Sequence, residues 1–217
     1  MQIACVLFSD LTQLDLTGPY EVFHRLRGVT VDLVAASLDP VVSEGGLAIL
    51  PTITFDTSPP CDVLFVPGGP GVNDAMLDDD VVAFIARQGA HAAWVTSACT
   101  GALLLGAAGL LAGVEATTHW ASMEFLEPFG AWPVNKRVVI SGNRITGGGV
   151  TAGIDTALAL AEQTHGQRAA EEIRLAIEYN PDVPSDDEVR ASVLAKLAPM
   201  KDRRRRVVAE AAKKLTS

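Results

Sequence analysis

The stretch that most constrains this chain is Ala92-Ala93-Trp94-Val95-Thr96-Ser97-Ala98-Cys99-Thr100-Gly101, followed by Ala102-Leu103-Leu104-Leu105-Gly106-Ala107-Ala108. A short apolar run of strand type passes at once into a small, leucine-rich run of helix type, with a cysteine at the change. Ser97-x-Cys99-x-Gly101 places small residues two positions either side of that cysteine. This is the pattern of a nucleophile elbow, where the nucleophile's backbone is strained and strand and helix nearly touch. A sulfur at such a turn sits at a helix N-terminus, where free N–H groups and the helix dipole favour the thiolate. A buried structural cysteine is the plainer use of the residue. The small flanking residues favour a reactive Cys99.

The rest of the chain can supply the sheet that an elbow needs. Its 217 residues, 48% of them apolar, suffice for one domain with a real core. The expected division is an α/β catalytic domain over 1–180 and a linker with a helix over 181–217, the latter part of the same domain or a dimer contact. No run approaches the ~18 apolar residues of a membrane span. Met1 to Phe8 reads as a first strand and not as a signal peptide. Cys5, Cys61 and Cys99 are odd in number and widely spaced, giving neither a disulfide framework nor a zinc pattern, so reduced thiols and a cytoplasmic setting are expected. The net charge of −9 is uneven, because Lys201, Arg203 to Arg206, Lys213 and Lys214 make a basic end. That run has no aromatics and no reading motif. It is therefore read as a solvated face or a subunit contact against the acidic body, not as a nucleic-acid site.

Strands are expected at residues 2–8, 29–36 and 62–66, with a hairpin or short added strands within Val41 to Thr54 around Gly45-Gly46. Thr17 as a cap and Pro19 in the first turn predict a helix that begins after Asp15. Helices are expected over 78–89, 100–111, from His119 through Leu126, over 151–163, near 167–178 and near 199–214. A hairpin or adjacent strands are expected at 138–146, and a polar linker at Asn180 to Asp187. Strands alternating with helices indicate a doubly wound, mostly parallel α/β sheet with helices on both faces.

Ligands bind at the carboxyl edge of such a sheet. Three loops are expected there: Asp15 after the first strand, Pro67-Gly68-Gly69-Pro70-Gly71 after the third, and the Cys99 turn. A thiolate that adds to a substrate needs donors for developing charge and an acid to deliver a proton. The backbone N–H groups of Gly69 and Thr100 are candidates for the donors and Asp15 for the acid. His119 is the available base for Cys99, but Thr117-Thr118-His119-Trp120 suits a structural hydrogen bond better. Gly147-Gly148-Gly149-Val150-Thr151-Ala152 fits a dinucleotide fingerprint formally. It falls too late in the chain, and close packing beside Cys99 explains it better.

Together these stretches resemble the DJ-1/PfpI superfamily, of the class I glutamine amidotransferase-like fold, and within it the branch that hydrates isonitriles. The matching segments are Gln13 to Pro19, Val66-Pro67-Gly68-Gly69-x-Gly71, Thr96 to Gly101, Ala107 to Leu111, Ala116 to Trp120 and Thr146 to Asp155. The resemblance implies a flavodoxin-like, DJ-1-like sheet, Cys99 as nucleophile and Asp15 as its hydrogen-bonded acid. It further implies that Thr100 helps hold the thiolate, that Gly69 lines an anion site, and that the Val150 carbonyl lies near the sulfur. The implied reaction takes a small apolar isonitrile to the N-substituted formamide, with no metal or organic cofactor, in a homodimer. Two departures separate relatives. Thr100 stands where the peptidase branch has a histidine, and the residues after Asp155 are too few for the helix-turn-helix domain of the AraC-type regulators. A glyoxalase- or amidase-like enzyme, or a cysteine redox or ligand sensor, is the alternative.

Overall fold

The computed structural model describes residues 1–180 and 187–215, the side chains of 187–198 excepted. The elements run β1 Gln2–Val6, α1 Gln13–Phe23, β2 Thr30–Ala35, β3 Val41–Val42, β4 Ala48–Ile49, β5 Ile53–Thr54, β6 Val63–Val66, α2 Val72–Ala75, α3 Asp79–Gly89, β7 Trp94–Ser97 and α4 Gly101–Ala107. Then come β8 Glu115–Ala116, a 3-10 helix Trp120–Phe125, a second one Glu127–Phe129, β9 Trp132–Pro133, β10 Val138–Ser141, β11 Arg144–Gly147, α5 Ala152–His165, α6 Gln167–Ala176 and α7 Asp187–Lys214.

Seven strands form one sheet in the order β10-β11-β7-β6-β1-β2-β5, parallel throughout except for the β10–β11 hairpin. The central strands β1 and β6 are apolar on both faces and almost wholly buried, as a parallel sheet between two helical layers requires. One layer is α1, α5 and α6; the other is α2, α3, α4 and α7. The decisive consequence is adjacency. β1, β6 and β7 are neighbours, so the loops after them meet at one carboxyl edge, where the chain's winding switches direction.

Four expectations need correction. Helix α1 starts at Gln13, not after Thr17, and carries Pro19 inside it. The start is fixed early because the Thr12 N–H bonds to the Gly68 carbonyl at 2.9 Å and the Asp15 N–H to the Thr12 carbonyl at 3.0 Å. Asp15 therefore stands in the first helical turn and not in the preceding loop. The segment after His119 forms 3-10 turns and not an α-helix, with the His119 ring capping the Ala121 N–H at 3.3 Å. Helix α4 ends at Ala107, short of residue 111.

The fourth correction concerns α7, which begins at Asp187 and runs through Pro199, the residue taken as its start. The helical spacing of Val207, Val208, Ala211 and Leu215 opposite the arginines suggests a subunit contact, but Leu215 lies beyond the helix and is exposed while the other three turn inward. They are buried within the chain's own core, 7%, 1% and 2% exposed, where α7 packs on α2, α4 and the 3-10 turns. The linker expected between Asn180 and Asp187 lies almost wholly outside the described residues.

Candidate active site

Cys99 is built as the sequence requires. It leaves β7 with φ = +53°, in the left-handed region, and α4 begins two residues later. A cysteine holds that strained conformation only if its surroundings fix it. Its N–H lies 2.8 Å from the Gly148 carbonyl and 3.1 Å from that of Gly147, and the Thr118 hydroxyl donates to its carbonyl at 2.8 Å. A β-carbon at Gly101 would fall 2.1 Å from the Val66 carbonyl oxygen, so the tight approach of helix and strand is open to glycine alone. The glycine run 147–149 thus packs against the elbow, as expected in place of a dinucleotide site.

The side chain of Asp15 is wholly buried and lies against Cys99. Its Oδ2 accepts the Gly68 N–H at 3.1 Å, while Oδ1 is buried with no partner in ordinary hydrogen-bond geometry. Burial pushes the Asp15 carboxyl up to about 7, outweighing the Cys99 and Gly68 hydrogen bonds that pull it down. Burial also pushes the Cys99 thiol up, and the Asp15 charge adds to this. The helix start alone therefore does not bring the thiol below its ordinary range, contrary to what the sequence suggests, since Cys99 is only 5% exposed. Two acids in one buried site do not ionise together, so the pair carries at most one negative charge near neutrality.

The donors to the sulfur are the backbone N–H groups of Thr100 and Val150, both of which favour the thiolate. Val150 thus faces Cys99 with its N–H, and its carbonyl accepts the Gly153 N–H at 3.1 Å. The Gly69 N–H, expected to serve developing charge, is taken by Thr100 Oγ1 at 3.0 Å. That hydroxyl also donates to the Gly69 carbonyl at 3.2 Å, so the pair locks the glycine loop to the elbow. A β-carbon at Gly68 would lie 2.5 Å from the Thr100 nitrogen and 2.8 Å from Asp15 Oδ2.

Over Cys99 lies a cavity of about 260 Å³ that also reaches Gly69, Thr100 and Val150. Its remaining wall holds residues that sequence reasoning passed over: Glu44 from the β3–β4 hairpin, Ser122, and Met200, Lys201 and Arg204 from α7. His119 lines it too. Its Nδ1 accepts from Ala121, which puts the proton of the neutral ring on Nε2, and burial with the Arg204 charge lowers its pKa. His119 is thus a neutral wall residue with a capping role, and no hydrogen bond joins it to Cys99 among the described residues. A signal for Arg204 was present in the spacing: Met200, Arg204, Val208 and Ala211 fall on one helical face. Among the described residues no group of three His, Cys, Asp or Glu side chains is placed to hold a metal ion.

A parallel α/β sheet that presents a strained cysteine elbow beside a buried carboxyl defines a class of cysteine-centred proteins. The chain belongs to the DJ-1/PfpI family, whose profile matches residues 1–163. It is a homologue of the isonitrile hydratase of Pseudomonas putida, with 52% identity over 86% of this chain and 82% of the relative. It is also similar to the crystal structure of a ThiJ/PfpI family protein from Pseudomonas syringae, with a TM-score of 0.92 and 43% identity over 95% of this chain and 90% of that one. The HTH-type transcriptional regulator GbdR of Pseudomonas aeruginosa is 30% identical over 76% of this chain but only 47% of its own length.

Proposed function

We propose that the protein hydrates isonitriles, R–N≡C, to N-substituted formamides, with Cys99 as nucleophile and Asp15 as acid and base. The observation that carries this reading is the buried Cys99 thiol set against the buried Asp15 carboxyl under a small cavity, in a chain 52% identical to an isonitrile hydratase. In the reactive state Asp15 holds the proton and Cys99 is the thiolate. Sulfur bonds to the terminal carbon and Asp15 gives that carbon its proton, leaving the thioimidate R–N=CH–S–Cys99. Water then adds, its hydroxyl going to carbon and its other proton to nitrogen, with the Asp15 carboxylate as relay. The carbon–sulfur bond breaks as the carbonyl forms, the hydroxyl proton returns to Asp15, and thiolate and R–NH–CHO separate.

Thr100 and Val150 hold the sulfur's charge through their N–H groups, and Gly69 keeps Thr100 in place. The open chain of atoms in an isonitrile suits a cavity of this size. A thiolate nucleophile also calls for a reducing compartment, which supports the cytoplasmic setting. The test is loss of the isonitrile infrared band from a simple aliphatic isonitrile, against a heat-killed control. Turnover is expected from the parent, from Cys5→Ser and from Cys61→Ser, but not from Cys99→Ala or Cys99→Ser. Cys5 and Cys61 are buried in the core and line no part of the cavity over Cys99, so neither can stand in. Turnover surviving in Cys99→Ala would refute the mechanism.

We propose a homodimer as well. The family resemblance supports it, and Leu38, Val42, Leu47 and Leu50, all 48–66% exposed around the β3–β4 hairpin, supply an apolar surface for it. Sedimentation at micromolar concentration should give twice the chain mass; the single mass would overturn it.

A further inference from the structure

The second half of helix α7 brings four consecutive arginines, Arg203 to Arg206, past the body of the protein, and one of them is unlike the rest. Arg203 pairs with Asp74, and Arg205 pairs with Asp202 at 3.2 Å and Glu124 at 3.7 Å, all at the surface. Arg204 is 5% exposed, and no carboxylate pairs with it among the described residues. Its Nε donates to Asn73 Oδ1 at 3.0 Å, its Nη1 to Ser122 Oγ at 2.8 Å, and its Nη2 points to the Met200 sulfur at 3.8 Å. Asn73 and Ser122 are themselves 1% exposed and neutral. These contacts aim the guanidinium but do not neutralise it. A buried guanidinium with no countercharge is unfavourable, and an anion in the same cavity would offset it.

The cavity identifies that anion. Its charged and titratable wall groups are Glu44, Cys99, His119, Lys201 and Arg204, with Asp15 buried behind Cys99. Glu44 is exposed, so water screens its charge, and it accepts the Thr12 hydroxyl at 2.6 Å; Lys201 pairs with Glu124 at 2.8 Å, and His119 is neutral. What remains buried is one cation, Arg204, and one negative charge, that of the Asp15–Cys99 pair after it has given up a single proton. We propose that Arg204 is the countercharge of the Cys99 thiolate, a positioning residue that makes α7 part of the reactive site. It supplies what the short helix α4 does not, a full charge inside the same low-dielectric cavity as the sulfur. The Cys99 charge favours the guanidinium that burial disfavours.

This inference rests on Cys99 as the nucleophile, and it is tested without any isonitrile. Cys99 alkylation by iodoacetamide, followed by peptide mass spectrometry across pH, reads the thiolate directly. In Arg204→Gln the midpoint should rise by about one unit or more, and alkylation at neutral pH should slow by about tenfold. Arg204→Lys, which keeps a charge, should move the profile back toward the parent. Arg203→Gln, which removes a surface charge one residue away, should match the parent. An Arg204→Gln profile superimposable on the parent, or an equal shift in Arg203→Gln, overturns the proposal. If Arg204→Gln does not fold, Asn73→Asp decides the matter: it keeps the guanidinium but gives it a carboxylate, and an unshifted midpoint there overturns the proposal equally. A protein that alkylates as described yet consumes no isonitrile refutes the proposed activity and leaves the role of Arg204 standing.

Discussion

A carboxyl that is buried and raised to about 7 affects both chemistry and folding. In the proposed cycle Asp15 must carry the first proton, and only the acid form can deliver it. Asp15→Asn keeps the size and loses the transferable proton, so its kcat should fall by about 10²–10⁴. Glu21→Gln should stay near the parent, because Glu21 is half-exposed on the same helix and pairs with Arg25 and His24 at the surface. The reverse result would show that the acid is misassigned. Stability carries the same signature. A carboxyl raised from 3.8 to about 7 by burial stabilises the fold below the lower value and loses that contribution as pH rises through the upper one. The stability of the parent relative to Asp15→Asn should therefore decline between about pH 4 and pH 8, by up to roughly 4 kcal/mol. Urea unfolding at the two ends checks the sign. Cys99 and Asp15 were legible from the sequence because the elbow and the loop order announce them. The raised Cys99 thiol was not, because it depends on how completely α7 and the hairpin exclude water.

At the scale of elements, the glycine loop after β6 is a spacer between two reacting groups. The sequence identifies it as a turn with a possible role, and the reason for its composition appears only when α1 and α4 are packed beside it. Gly68 has a carboxylate oxygen on one side and the first amide of the elbow on the other, both nearer than any β-carbon could approach. Gly68→Ala should push Asp15 and Thr100 apart, with a loss of about 10² in kcat from misplacement and about 1–3 kcal/mol of stability from overpacking. A Gly68→Ala variant with parental kcat would mean that the loop merely connects. The same closeness explains why the start of α1 was misplaced. Thr17 and Pro19 are good helix-start signals, but the Thr12–Gly68 backbone bond fixes the helix one turn earlier, and that bond is a tertiary contact invisible in local sequence. Strand positions were read well because buried parallel strands are continuous apolar runs.

At the scale of the whole molecule, the core α/β layers follow from alternation and run length, whereas the place of the C-terminal helix does not. Its arginines dominate the composition and suggest a surface, and only the phase of Val207, Val208 and Ala211 against Arg204 reveals a face turned inward. Internal cladding and subunit contact make different predictions. Val208 is 1% exposed against the chain's own helices, while Leu215, the residue after the helix ends, is 43% exposed. Removing two buried methyl groups in Val208→Ala should cost about 1–3 kcal/mol, which for a chain of this size lowers Tm by about 2–12 °C. Leu215→Ala should fall within about 0.5 kcal/mol of the parent. The drop for Val208→Ala should be the same at low and at high protein concentration, because the contact it weakens lies within one chain. A helix that instead served as the subunit contact would give a drop that shrinks as concentration rises, with Leu215→Ala the more damaging change. That outcome would detach α7 from the cavity wall and, with it, Arg204 from Cys99.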